Sequence, residues 1–121
     1  MDLTTLLDRI KQHPDYQKAG MILCHNGIVR NISRDGRKVT GLKISVDHKK
    51  LQTIIDTYKK KPGIIEILVE INENKTLSVG EDIMFLIVAG DIRDTVISVL
   101  NDTLNAIKKD VTSKTEFFDT V

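Results

Sequence analysis

Tryptophan is absent from the sequence, cysteine occurs once, proline twice, and aromatic side chains make up only 4% of the chain. With a single thiol, Cys24, no intrachain disulfide framework can form and no cysteine-rich zinc site can be built. The shortage of aromatic rings weakens any case for a base-stacking nucleic-acid surface. A net charge of +1 points the same way, because a general nucleic-acid binder usually carries a basic surplus over the whole domain. There is no spanning apolar segment and no signal-like leader, so the expected location is cytoplasmic with no membrane partner. Catalytic signatures are missing as well. The chain has no Gly-x-Ser-x-Gly elbow, no phosphate-cradling P-loop and no dinucleotide glycine fingerprint, and its three histidines stand in no metal spacing.

What is present is ordinary globular material, 40% hydrophobic and 29% charged over 121 residues, enough for one domain spanning 1–121 with a continuous core. Leu3, Leu6, Leu7 and Ile10 recur at helical spacing before Pro14, predicting a short helix over Leu3 to His13. Met21 to Arg30 reads as a strand with a bulge or kink at Asn26-Gly27. Val39 to Val46 alternates cleanly, with Leu42, Ile44 and Val46 on one face, and is expected to fold back on the preceding strand as a hairpin. Leu51, Ile54, Ile55 and Tyr58 mark a second helix, stopped by Lys59-Lys60-Lys61-Pro62-Gly63. Two strands follow, Ile64 to Ile71 and Asp82 to Ala89, the second apolar throughout and so expected to be buried on both faces. Either could offer a sheet edge for self-association. A last helix over Asp91 to Lys108 precedes a polar tail with Phe117 and Phe118. The order predicts an α+β sandwich with a mainly antiparallel sheet and about three helices.

The chemistry that stands out is cationic. Arg30, Arg34, Arg37 and Lys38 crowd around Asp35-Gly36 in a chain with almost no net charge. Such a loop is either a solvated hairpin connection or the wall of an anion site. Lys108, Lys109 and Lys114 lie at and beyond the end of the last helix, where the first two suit the helix dipole. Arg93, in the first turn of that helix, opposes the dipole and hints at an anion or carboxylate nearby. Cys24, inside an apolar strand, reads as a small buried hydrophobe, and His13, His25 and His48 as surface or turn residues.

Three stretches, GMILCHNGIVRNISRDGRKVTGLKIS, LSVGEDIMFLIVAGDIR and LNAIKKDVTSKTE, resemble in order and spacing the large, catalytic subunit of molybdopterin synthase, from about Gly20 to Glu116. The resemblance implies the hammerhead-like α/β fold of that subunit. It also implies transfer of sulfur from the C-terminal thiocarboxylate of a ubiquitin-like small subunit, ending in Gly-Gly, to cyclic pyranopterin monophosphate. Lys108 and Lys114 would be the catalytic lysines, and Arg30, Arg37, Lys38, Arg93 and Lys109 would bind the pterin phosphate or the incoming tail. A homodimer of large subunits with a small subunit at each end is implied, and no metal or organic cofactor. The chain departs from the family pattern at Ile92, where a histidine is usual, at Asn72-Glu73-Asn74-Lys75, which replaces a basic stretch, and between Lys108 and Lys114, where one residue is missing. A relative that binds the sulfur carrier without turnover is the alternative function. The ending Asp-Thr-Val, without Gly-Gly, speaks against the small subunit itself.

Overall fold

The computed structural model describes residues 1–119; Thr120 and Val121, the last two positions of the expected domain, lie outside the described residues. Three α-helices, α1 (Leu3–Lys11), α2 (His48–Lys59) and α3 (Arg93–Asp110), accompany six strands: β1 (Met21–Ile28), β2 (Val39–Val46), β3 (Ile64–Ile71), β4 (Leu77–Ser78), β5 (Asp82–Gly90) and β6 (Thr112–Phe118). They form two antiparallel sheets, ordered β1-β5-β3 and β4-β2-β6.

β5 organises the first sheet because both of its faces are apolar. Met84, Leu86 and Val88 join the core under α2 and α3, while Phe85, Ile87 and Ala89 pack with Leu6 and Ile10 of α1 on the opposite face. Each such side chain, taken from water to full burial, contributes about 1.5–3 kcal/mol, which is why this strand sits at the centre with a neighbour on each side. As a result only β1 and β3 can be edges of this sheet, and the expectation of a free edge along Ile83 to Val88 is overturned. The helices begin where short acids cap them: Asp2 accepts from the Thr4 N–H at 3.0 Å and Asp47 from the Lys50 N–H at 3.1 Å. α3 has no such cap, since Ile92 stands in the capping position.

The hairpin expected between Met21–Arg30 and Val39–Val46 does not form. The strands belong to different sheets, and the loop between them is closed by an isolated Ile32–Lys38 bridge, made by the Val39 N–H to the Asn31 carbonyl and the Ser33 N–H to the Arg37 carbonyl, both at 2.9 Å. Val29 is instead drawn down beside the β4–β5 turn, donating to the Glu81 carbonyl at 3.0 Å and accepting from the Gly80 N–H at 2.9 Å. The chain thus crosses from one sheet to the other at this point. The polar tail is likewise a strand. β6 runs beside β2, with Lys114 opposite Ile44 and Glu116 opposite Leu42. Its small and polar residues hide the strand, because only alternate positions face the protein.

A third cluster, Val29, Val39, Leu42, Ile44 and Leu77, fills the space behind the second sheet and meets Ile71 and Ile83 at the end of the first. The turn after β3 is pinned across this junction: Asn74, at φ 61, donates its N–H to the Ile44 carbonyl at 2.8 Å. Cys24 is exposed rather than buried. It shares a face with Ile22, but the packing against α1 reaches only as far as Ile22. No helix among the described residues is long and apolar enough to cross a membrane.

Candidate functional site: a cationic cleft between the two sheets

Where the sheets diverge they leave a cleft of about 560 Å³, within the range of small-molecule and peptide-tail pockets. Its floor is apolar: Leu42 and Ile44 from β2, Ile71 from the end of β3, and Ile83 and Met84 from the start of β5. Its rim carries four cations, Arg30, Arg34, Lys108 and Lys114, against one carboxylate, Glu116, with His25 on the β1 side. An apolar floor under a cationic rim suits a ligand with a flat or extended apolar body and an anionic end.

The local sequence explains how each group arrives. Ile107 is fully buried and the Val111 N–H returns to its carbonyl at 2.9 Å, so α3 ends tightly and β6 begins at the next residue. Lys108, in the last helical turn, therefore stands next to the strand that carries Lys114. Strand alternation then puts Thr112, Lys114 and Glu116 on the inner face together. Lys114 Nζ lies 3.7 Å from Glu116 Oε1, and half of its side chain remains open to solvent.

The basic loop divides its charges. Arg30 and Arg34 face the cleft. Arg37 and Lys38 do not: Arg37 Nε donates to Asp35 at 3.0 Å and its guanidinium lies over the Phe118 ring, while Lys38 Nζ pairs with Asp119 at 3.6 Å. Ser33, buried, donates its hydroxyl to Asp35 and accepts the Arg37 N–H at 3.1 Å. The Ser33 hydrogen bond, helped by the Arg37 charge, holds the Asp35 carboxyl below its usual range. Two of the loop's cations thus fasten it to the end of β6, and two are left for a ligand.

Lys109 and Arg93 also lie off the cleft. Lys109 is one position, or roughly 100°, around the helix from Lys108. Arg93 is exposed at the other end of α3, about 22 Å along the axis from Lys108, and makes no ion pair among the described residues. The sequence reading missed Arg34, Glu116 and His25 as site residues. Arg34 was visible within the cation cluster. His25 could have been found from strand alternation, since it shares the inward face of β1 with Met21 and Leu23, both packed on the main core. Burial, and then the charge of Lys108, push the His25 imidazole below its ordinary pKa of 6.5. Among the described residues no group of three or more His, Cys, Asp or Glu side chains could hold a metal ion.

Fold and cleft together define a two-sheet α+β protein with a cation-rimmed pocket for an anionic ligand. The family model described as "MoaE protein" matches residues 1–110. The chain belongs to that family, the large subunits of molybdopterin synthase. The match ends before β6, so the wall bearing Lys114 and Glu116 lies beyond it. Among solved structures, the chain is similar to the molybdopterin cofactor biosynthesis protein E of Burkholderia multivorans, with 20% identity, a TM-score of 0.77, and coverage of 100% of this chain and 84% of that one. It is similar to molybdopterin synthase from Staphylococcus aureus at 21% identity and a TM-score of 0.74, covering 91% and 87%. It also resembles a complex of subunits 1 and 2 of the molybdopterin-converting factor from Helicobacter pylori, at 15% identity and a TM-score of 0.74, covering 100% and 82%. No curated protein matches the sequence.

Proposed function

We propose that this chain is the sulfur-inserting subunit of a molybdopterin synthase, acting as one cytoplasmic domain that receives the Gly-Gly tail of a thiocarboxylated ubiquitin-like partner in the cleft between its sheets. The observation that supports this best is the convergence of Arg30, Arg34, Lys108 and Lys114 over an apolar floor in a chain of this family. Arg30 and Arg34 offer guanidinium forks for the pterin phosphate. Lys108 and Lys114 stand where they can hold the carrier's terminal carboxyl group and stabilise the negative charge that develops on its oxygen as sulfur is transferred. Arg37, Lys38 and Lys109 border the approach rather than the floor. Arg93 can serve such a cleft only across an interface with a second copy, which fits the homodimer implied by the resemblance.

A relative that binds the carrier without turnover is favoured by one feature, the exposed Ile92, 61% accessible next to Arg93 where the family carries histidine. The deciding experiment mixes the protein with the thiocarboxylated carrier and cyclic pyranopterin monophosphate and assays dithiolene product, with Lys108→Ala as control. Product that is lost in the control supports the synthase. Carrier binding without product supports the binding relative.

A further inference from the structure

We propose that His25 is the proton-transferring group of the cleft, acting as general base on the water that releases the carrier after sulfur has been delivered. This rests on the function proposed above.

Three structural facts single His25 out. It lies in the middle of β1 opposite Leu86 and lines the cleft directly. Its imidazole folds along its own strand, with Nε2 beside Gly27, where a Cβ would stand in ordinary contact at 3.4 Å. Finally, neither ring nitrogen of His25 has a hydrogen-bond partner among the described residues. The other two histidines are engaged: His13 Nδ1 accepts the Asp15 N–H at 3.0 Å, and His48 Nε2 lies 2.7 Å from Glu73 Oε1. His25 alone presents a free imidazole to the cleft.

Burial first, and then the charge of Lys108, keep that imidazole unprotonated at neutral pH. Lys108 approaches from α3, Arg30 and Arg34 from the loop, and Lys114 with Glu116 from β6, while β5 offers only apolar contacts. Cations outnumber the single carboxylate, so an added proton is disfavoured until a reaction supplies one.

The step is as follows. The thiocarboxylate sulfur bonds to an electrophilic carbon of the pterin as a carbon–oxygen bond at that carbon gives its electron pair to oxygen, and the carrier's terminal carbonyl is left as a thioester. A water oxygen bonds to that carbonyl carbon while its proton passes to a ring nitrogen of His25, and the cations hold the oxyanion. The carbon–sulfur bond then breaks and its electron pair leaves on sulfur as thiolate. The carrier departs as a carboxylate after losing its remaining proton to solvent, and His25 returns its own proton to solvent.

The test follows a single turnover with thiocarboxylated carrier and cyclic pyranopterin monophosphate, from about pH 5 to 8, for the natural chain, His25→Gln and His25→Phe. Carrier binding is measured alongside. The natural chain is expected to release carboxylate carrier with a rate that falls on acidification, with its midpoint below the ordinary imidazole value of 6.5. Both variants should bind carrier as well as the natural chain, release it roughly 100-fold more slowly, accumulate the covalent carrier–pterin adduct and lose the acid limb. Variants that keep the natural rate and its acid limb would overturn the role of His25 while leaving the proposed function standing. Variants that no longer bind carrier would overturn it too, in favour of tail docking. A natural chain that binds carrier but yields neither adduct nor product would overturn both.

Discussion

The guanidinium carbon of Arg37 lies 3.7 Å from the centroid of the Phe118 ring. This contact joins the basic loop to the strand that forms the opposite wall of the cleft, and Lys38 with Asp119 reinforces it at 3.6 Å. Replacing Phe118, half-buried against the third cluster, with leucine should cost about 0.5–1 kcal/mol from the lost contact with the exposed Arg37 guanidinium. The clearer result should be local. Amide hydrogen exchange is expected to rise over residues 30–38, with little change in α1, which packs on the far side of the first sheet.

Removing Lys108 should change the titration of His25. The lysine charge lowers the imidazole pKa, so Lys108→Ala should move it back toward 6.5 without reaching it, because burial still disfavours the charged ring. An NMR titration of the His25 ring proton checks this. A value that moved down or stayed fixed would contradict the proximity of the two groups.

The same shift has a consequence for folding. Because His25 is harder to protonate folded than unfolded, the unfolded chain takes up the proton first as pH falls through 6.5. Stability should therefore decline from about pH 6.5 down to the folded value, while this group contributes no slope above that window. Urea unfolding of the natural chain and of His25→Phe at pH 7.5 and 5.5 should show the variant losing less stability on acidification.

Ile92 caps α3 without a side-chain acceptor. Ile92→Ser should supply one and stabilise the fold by about 1 kcal/mol, read as a higher urea midpoint with an unchanged slope. The isoleucine is already 61% exposed, so little apolar burial is given up in exchange.

Leu77 is fully buried although its strand is only two residues long. Leu77→Ala should destabilise the protein by about 2–5 kcal/mol, as for other core truncations. It should also weaken anion binding in the cleft, since Leu77 packs against Leu42 and Ile44 of the floor. Urea unfolding and a phosphate-competition assay separate the two effects.

Much of this architecture was legible because periodicity is written strongly in Leu3–Ile10 and Val39–Val46, and apolar runs mark Ile64–Ile71 and Asp82–Ala89. What could not be read was pairing. Nothing local in Met21–Ile28 says that its partner is Asp82–Gly90, and a ten-residue loop looks the same whether or not its flanking strands meet. β6 escaped because Thr112 to Glu116 is polar at every position, and its inward side chains face a cleft instead of a core. The cleft lysines were recognisable from motif order. The division of the basic loop was not, because it depends on Phe118 and Asp119, which are distant in sequence and meet the loop only through the pairing of β2 with β6.

That pairing also sets a timetable. Both neighbours of β2 are encoded after it, β4 at Leu77–Ser78 and β6 at Thr112–Phe118. During synthesis the edge that β6 will cover must wait bare until nearly all the described chain has left the ribosome, a span of several seconds at ordinary elongation rates. Lys43, at the centre of β2 and exposed on its outer face, places a charge where a second nascent chain would otherwise stack. A lysine that lies outside the cleft of the finished protein can thus protect the unfinished one.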